Sequence, residues 1–320
     1  MSVPDPRSVA VVIPARNEGG TIRPLVEAVV AQRPPALDLE VIVVDNGSVD
    51  DTAARAREAG ARVLPLPLRD GLGNPAAARN LAARSSTADV LIFLDADCMP
   101  DPGWLAALLR AHRRGHVAVG GPLEMPRGLP LSARADYYCG WYHVHGVRPA
   151  GRVVSHPPGN VSIYREAFMQ TSGFIEEGPA AYAHEELRWQ AELRAGGHRI
   201  AFEPNAVVRH YNRPGFANLL RRNYRWGYSA IQTKAETGAA RLAWLYRHPR
   251  TLILACPPLA FLQTAYIVAC WARIGRLEPL VVLPLVLAAR SAWSLGAMVG
   301  TARWLRNRER GATGARPAWE

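Results

Sequence analysis

The run Leu91-Ile92-Phe93-Leu94-Asp95-Ala96-Asp97 constrains this chain most, because an apolar stretch closes on two carboxylates separated by one residue. A short apolar run bounded by turn residues reads as a buried strand, and Pro100, Asp101, Pro102 and Gly103 supply the turn. Side chains alternate along a strand, so Asp95 and Asp97 point to the same side and offer oxygen ligands to one hard cation. Such a cation would neutralise a diphosphate. Asp ahead of Pro and Gly is also an ordinary strand-to-turn boundary, so the pair takes its meaning from what surrounds it.

A β-branched run over residues 8–13 stops at Pro14 and leads through Ala15-Arg16-Asn17-Glu18-Gly19-Gly20 to Thr21. Thr21 is placed to cap a helix that carries Ile22, Leu25, Val26, Val29 and Val30 at helical spacing. A second strand over residues 39–44 ends in Asp45-Asn46-Gly47-Ser48, ahead of a helix-like segment at 52–59, and a third follows near residues 61–66. Strands alternating with helices predict an α/β fold with a mostly parallel sheet. Ligands of such sheets bind beyond the carboxyl ends of the strands, where residues 14–18, Asp45 and the Asp95–Asp97 pair all fall. The first strand-to-helix turn lacks the glycine fingerprint of a dinucleotide site, and no P-loop is present.

Val12-Ile13-Pro14-Ala15-Arg16-Asn17-Glu18, Val43-Val44-Asp45-Asn46-Gly47-Ser48, Ala78-Arg79-Asn80, Asp95-Ala96-Asp97, Pro158-Gly159-Asn160-Val161-Ser162 and Ser172-Gly173-Phe174 leading to His184-Glu185-Glu186-Leu187 together resemble a family 2 glycosyltransferase. That family has the GT-A fold, a Rossmann-like nucleotide-diphospho-sugar transferase architecture. The resemblance implies that Pro14, Ala15, Asn17 and Glu18 line the nucleotide pocket and that Asp45 accepts from the base. It puts Arg79 near the nucleotide, Asp95 and Asp97 by the ribose and the metal-bound diphosphate, and Asn160 on the acceptor side, with Mg²⁺ or Mn²⁺ as the cation. Asp45 also suits an Asx turn before Gly47, and Arg79 also suits a solvated helix face. His210 follows a strand-like segment; some GT-A enzymes return a late His to the metal, and a His at a strand end also serves as hydrogen-bonded structure.

Inverting members deprotonate the acceptor hydroxyl with an acid, usually the Asp of a Glu-Asp pair. The matching pair here is Glu185-Glu186, which makes Glu186 the candidate base and Glu185 the fallback. A Glu reaches one methylene farther than an Asp, and positioning on that scale matters for catalysis. The implied activity is a metal-dependent, hexosyltransferase-type transfer from a nucleotide-diphosphate sugar to an acceptor hydroxyl or phosphate; the apolar stretches toward the C-terminus make a lipid-linked, glycan or other membrane-proximal acceptor the expectation. The alternative is a catalytically silent GT-A-fold binding or scaffolding protein, which the Glu at the base position leaves open.

From residue 213 onward the pattern changes. Leu219, Leu220, Tyr224, Trp226 and Tyr228 interleave with Arg221, Arg222 and Arg225, which reads as a basic amphipathic helix at a membrane surface. Two apolar stretches follow, at 251–272 and 279–300, each long enough for a bilayer span. Pro257, Pro258 and Gln263 interrupt the first, and Arg290 lies near the middle of the second, a costly placement in lipid unless it faces protein or a polar cavity. The expected organisation is a GT-A domain over 1–212, interfacial helices over 213–250, a membrane-associated hairpin over 251–302 and a basic tail over 303–320. Arg303, Arg306, Arg308 and Arg310 put that tail, and with it the catalytic domain, on the cytoplasmic side of the cell membrane, although Arg273 and Arg276 pull mildly the other way. The charge balance, 38 Lys and Arg against 27 Asp and Glu, suits membrane lipids and phosphate-bearing substrates. No nucleic-acid motif accompanies it, so nucleic acid is not an expected partner. The four Cys residues show no paired metal spacing.

Overall fold

A computed structural model describes residues 5–68, 73–238 and 248–309. The chain forms two compact units. The first comprises Met1–Glu124, Val144–Phe174 and Arg188–His210, and the second Met125–His143, Ile175–Leu187 and Tyr211–Glu320.

In the first unit, β1 (Ser8–Ala15), β2 (Asp38–Asp45), β3 (Arg62–Pro65) and β4 (Val90–Leu94) pair in parallel in the order β3-β2-β1-β4. Val9, Val11, Val12 and Ile13 of β1 and every residue of β4 are buried, as expected of strands covered on both faces. The expected mixed α/β fold with a mostly parallel sheet is therefore present. Beyond β4 the direction reverses, because β9 (Asn160–Tyr164) runs antiparallel between β4 and β6 (Ala118–Gly120). The sheet ends with β10 (Ile200–Phe202), parallel to β6, and β8 (Gly151–Val153). A second, three-stranded sheet sets β11 (Val208–His210) between β5 (Cys98–Pro100) and β7 (Leu123–Glu124).

The helices of this unit begin by different means. α3 (Pro75–Ser85) has Pro at its first turn, where no N–H is needed, and Asn74 Oδ1 accepts from the Ala77 amide at 2.9 Å. α1 (Ile22–Val30) starts after Thr21, but the expected side-chain cap is absent. Instead the Thr21 hydroxyl donates to Glu18 Oε2 at 2.8 Å, and the Glu18 carbonyl accepts from the Ile22 amide at 2.8 Å. The loop before the helix is closed by its own acid. α2 (Thr52–Glu58) and α4 (Trp104–Arg113) follow β2 and β5, α6 (Arg165–Met169) follows β9, and α7 (Leu187–Ala195) precedes β10.

The second unit is helical, with α5 (Leu131–Trp141), α8 (Phe216–Thr237), α9 (Pro249–Ala272) and α10 (Leu283–Glu309). α8 buries Leu219, Asn223, Gly227 and Ile231, a stripe with a period of four residues. Glycine sets how near α10 comes to it: a Cβ on Gly296 would lie 2.1 Å from the Tyr224 carbonyl oxygen. Arg222, expected on the outer face of a surface helix, is turned inward instead and pairs with Asp136 at 2.5 Å. The Pro-Pro step divides α9 into Pro249–Cys256 and Pro258–Ala272, which meet at 78°, as expected where proline removes helical hydrogen bonds. α10 is long and apolar enough to cross a membrane, with a mean hydropathy of 1.3 over an 18-residue window. Residues 239–247 of the expected interfacial region and 310–320 of the expected tail, Arg310 among them, lie outside the described residues.

Candidate functional site

The parallel register brings three loops of the first unit to one edge of the sheet. Ala15 lies opposite Asp45, the Asn46 amide donates to the Ala15 carbonyl at 2.8 Å, and β4 delivers Asp95 immediately after Leu94. Pro14 is half-buried, Ala15 is buried and Asn17 is exposed. Asn17 takes a left-handed backbone, φ 55°, a conformation that Asn tolerates better than most residues. That twist lets its amide donate to Ser48 Oγ while its Oδ1 accepts from the Val49 amide, both at 3.0 Å. The Glu18 amide donates to Thr52 Oγ1 at 2.8 Å and the Gly19 amide to Asp50 Oδ2 at 3.0 Å. The loop after β1 is thereby stitched to the loop after β2. Hydrogen bonding from Thr52 above all, and from the Gly19 amide, holds Asp50 below the usual carboxylate range. Asp45 Oδ1 accepts from the Ser48 amide at 3.1 Å, so the turn-forming geometry weighed for this residue is present.

Arg79 is buried on α3, which overturns the solvated-face alternative. Its Nη2 donates to Asp95 Oδ1 at 2.5 Å, and its guanidinium lies 5.4 Å from the centre of the Phe174 ring. Phe174 is fixed in turn, because its amide and carbonyl both bond the Asn80 side chain at 2.9 Å. Gly159 leaves Asp95 its room, since a Cβ there would stand 2.8 Å from Asp95 Oδ2.

The small sheet explains how His210, far along the chain, returns to the acid pair. β11 runs antiparallel to β5 with His210 opposite Cys98, one residue beyond Asp97. His210 Nε2 lies 3.5 Å from Asp97 Oδ1, and ligand atoms of Asp95, Asp97, Cys98 and His210 all fall within 4.8 Å of one another. The two carboxylates offer oxygen ligands that suit Mn²⁺ or Mg²⁺, with the His210 imidazole and the buried Cys98 thiol as softer members of the set. Sequence reasoning missed Cys98, because only the strand register puts it across from His210.

Asn160 is fully buried at the start of β9, opposite Leu94. Its Oδ1 accepts from Trp104 Nε1 at 2.9 Å, and its Nδ2 donates to the carbonyls of Pro122 and Ala206 at 2.9 and 2.8 Å. The amide expected to face an acceptor is thus committed to holding three chain segments together. Glu185 and Glu186 belong to the second unit, both buried, directly ahead of α7, where negative charge is favoured by the helix N-terminus. The Glu185 carbonyl accepts from the Ile175 amide at 2.9 Å, and the neighbouring His184 places Nδ1 2.7 Å from Ser229 Oγ on α8. Burial, and secondarily the charge of Lys234, push His184 down to about 3, so it stays neutral at physiological pH.

Comparison with known proteins agrees with this architecture. AglE of Haloferax volcanii, a glycosyltransferase, is 28% identical over 232 residues, which cover 70% of this chain and 73% of AglE. The pre-mycofactocin glycosyltransferase of Mycobacterium tuberculosis is 29% identical over 266 residues, covering 76% of this chain and 53% of that protein, so the chain spans about half of the mycobacterial relative. Among solved structures, the mannosyltransferase PcManGT of Pyrobaculum calidifontis, in complex with GDP-Man and Mn²⁺, superposes with a TM-score of 0.60 at 21% identity. That alignment covers 93% of this chain and 88% of PcManGT and shows a common fold. Residues 10–169 match the profile of Glycosyl transferase family 2, a segment that runs from β1 through α6 and includes the Asp95–Asp97 pair. On that match, the chain belongs to glycosyl transferase family 2.

Proposed function

We propose that this protein is an inverting, metal-dependent glycosyltransferase that moves a hexose from a nucleoside-diphosphate sugar to a membrane-proximal acceptor, a lipid-linked or glycan hydroxyl or phosphate. The observation that carries the reading is the convergence of Asp95, Asp97 and His210 within 4.8 Å at the carboxyl edge of a parallel sheet. Pro14, Ala15, Asn17, Glu18 and Asp45 are assigned to the nucleotide. Arg79 holds Asp95 toward the ribose and diphosphate side, and Asp97, Asp95 and His210 are the residues that would hold Mg²⁺ or Mn²⁺. That ion, when bound, supplies positive charge to the departing diphosphate. Glu186 takes the proton of the acceptor hydroxyl as it attacks the anomeric carbon, with Glu185 as the second candidate. Asn160 supports the acceptor side by fixing the strand end rather than by direct contact, because its amide is already spent on protein partners.

The region over 1–212 is assigned to transfer and 213–302 to membrane contact. Exposed Leu254, Phe261, Leu262 and Tyr266 on α9, with the apolar α10, support an attachment to lipid. The donor is made in the cytosol, so the catalytic face is assigned to the cytoplasmic side of the cell membrane. Transfer from a panel of UDP- and GDP-sugars tests the reading, with Glu186→Gln and Glu185→Gln as variants. One of the two is expected to lose at least about 100-fold in turnover, as removal of a general base does, with unfolding unchanged. Wild-type protein that binds donors yet neither transfers nor hydrolyses them would favour the scaffolding alternative.

A further inference from the structure

A cavity of about 440 Å³ opens in the first unit between the last turn of α4, strand β8 and the end of β10. Its volume falls in the range of small-molecule sites. None of its lining residues belongs to the candidate site above. The charged groups are Arg110, Arg114 and Arg152, one carboxylate, Glu203, and the titratable His116.

Glu203 is already spent. Its Oε2 accepts from Arg114 Nη2 at 2.5 Å, and its Oε1 accepts from the amide and side chain of Asn205 at 3.2 and 2.9 Å. Burial opposes its charge, but the Arg114 and Asn205 bonds prevail and hold it below the usual carboxylate range. Arg114 keeps further donors beyond the one used, because a guanidinium has five. Arg110 and Arg152 are exposed and, among the described residues, make no side-chain hydrogen bond or ion pair. The lining therefore holds one neutralised pair and two guanidiniums without a counter-charge.

His116 registers the field of these groups. Burial first, then the charges of Arg114 and Arg152, push its imidazole down, against the smaller opposing pull of Glu203. Three of the C-terminal carbonyls of α4, which would repel an anion, are themselves occupied. The amides of Arg114, Gly115 and His116 donate to the carbonyls of Arg110, His112 and Ala111 respectively. Phe202 and Pro204 give the cavity an apolar wall beside this charge, and Arg148 lies 5.3 Å from the centre of the Phe202 ring.

We propose that this cavity binds a soluble phosphate monoester, its phosphate among Arg110, Arg114 and Arg152 and its apolar body against Phe202 and Pro204. Paired guanidiniums match phosphate oxygens in a way that single ammonium groups do not. The wall residues continue into Ala206, whose carbonyl accepts from Asn160 Nδ2 at 2.8 Å, and then into β11 with His210. The same segment therefore borders this cavity and delivers His210. The proposal is independent of the transferase reading.

The probe is phenyl phosphate, titrated into the full chain in detergent micelles with EDTA present, so that the Asp95–Asp97 cluster holds no metal. Calorimetry reads affinity, and NMR of the His116 ring reads the local charge. Saturable binding is expected, about tenfold tighter than that of inorganic phosphate, with an upward movement of the His116 pKa. Arg110→Ala/Arg152→Ala should weaken it at least about tenfold, while Asp97→Ala leaves it unchanged. Both arginines are exposed, and a thermal unfolding scan confirms that the double variant is folded. Absence of saturable binding below about 10 mM, or equal affinity in the double variant, overturns the proposal. Vesicles containing phosphatidic acid form the second arm. Recruitment that depends on the two arginines, without phenyl phosphate binding, would give the site to a lipid headgroup and overturn the soluble ligand.

Discussion

Asp97 of the first unit and Asp136 of the second are both carboxylates in folded protein, and they have been treated in opposite ways. Asp136 is 3% exposed and its oxygens accept from Asn212 Nδ2 at 2.7 Å, Arg222 Nη1 at 2.5 Å and Asn223 Nδ2 at 3.2 Å. Asn223 Oδ1 accepts from Arg290, so the network joins α5, α8 and α10 and gives the arginine in the middle of an apolar helix a polar partner. Asp97 keeps 27% of its side chain exposed and has His210 beside it at 3.5 Å. A buried charge whose hydrogen bonds are complete is structure; a carboxylate left partly open next to other ligand atoms is poised for something that arrives.

Removing Asp136 gives the largest expected effect. Asp136→Ala leaves Arg222 and the asparagines without their acceptor and should lower stability by about 3 kcal/mol, read by chemical unfolding in micelles. An unchanged midpoint would break the contrast with Asp97. Arg79→Ala comes next, because it frees Asp95 from its buried partner. A charge-assisted bond of this kind contributes about 2 kcal/mol, so donor affinity should fall by at least about tenfold, measured by calorimetry with Mn²⁺ present.

The smallest effect per unit of change is that of pH, and it reaches both units. Burial pushes His112 and His156 of the first unit down to about 4 and His184 of the second to about 3. Each is neutral when folded and takes a proton when unfolded between the ordinary value of 6.5 and its own lowered value. The unfolded state then binds more protons, so the stability these residues contribute is full above 6.5 and is lost as pH falls through that window. Each adds up to about 1.4 kcal/mol per pH unit, and His156→Gln should flatten the slope by roughly one such increment. A slope unaffected by His156→Gln would contradict its neutral burial.

Legibility followed the length of the signal. β1, β2 and β4 were readable because each contains an unbroken apolar run, and the acids that close β2 and follow β4 came with them. β6, β8 and β10 have three residues each and carry no periodicity, so the antiparallel turn of the sheet at β9 stayed hidden. Cys98 and the inward Arg222 were missed for a related reason. Their environments are set by partners 112 and 86 residues away, which only strand register and helix packing disclose. Residues 125–143 and 175–187 group with the second unit through packing that a linear reading does not show. Thr21 failed as a cap although it has the right residue type, since Glu18 took its hydroxyl first.

The central claim is that the Asp95–Asp97–His210 cluster is where a metal and a nucleotide sugar are held. Calorimetric titration of donor sugars into the full chain, with and without Mn²⁺, in wild-type protein and Asp97→Ala, tests it most directly. The account predicts binding of a donor that requires Mn²⁺ and weakens at least about tenfold in the variant while its unfolding midpoint stays put. Donor binding of equal strength in Asp97→Ala, or indifferent to Mn²⁺, would contradict it.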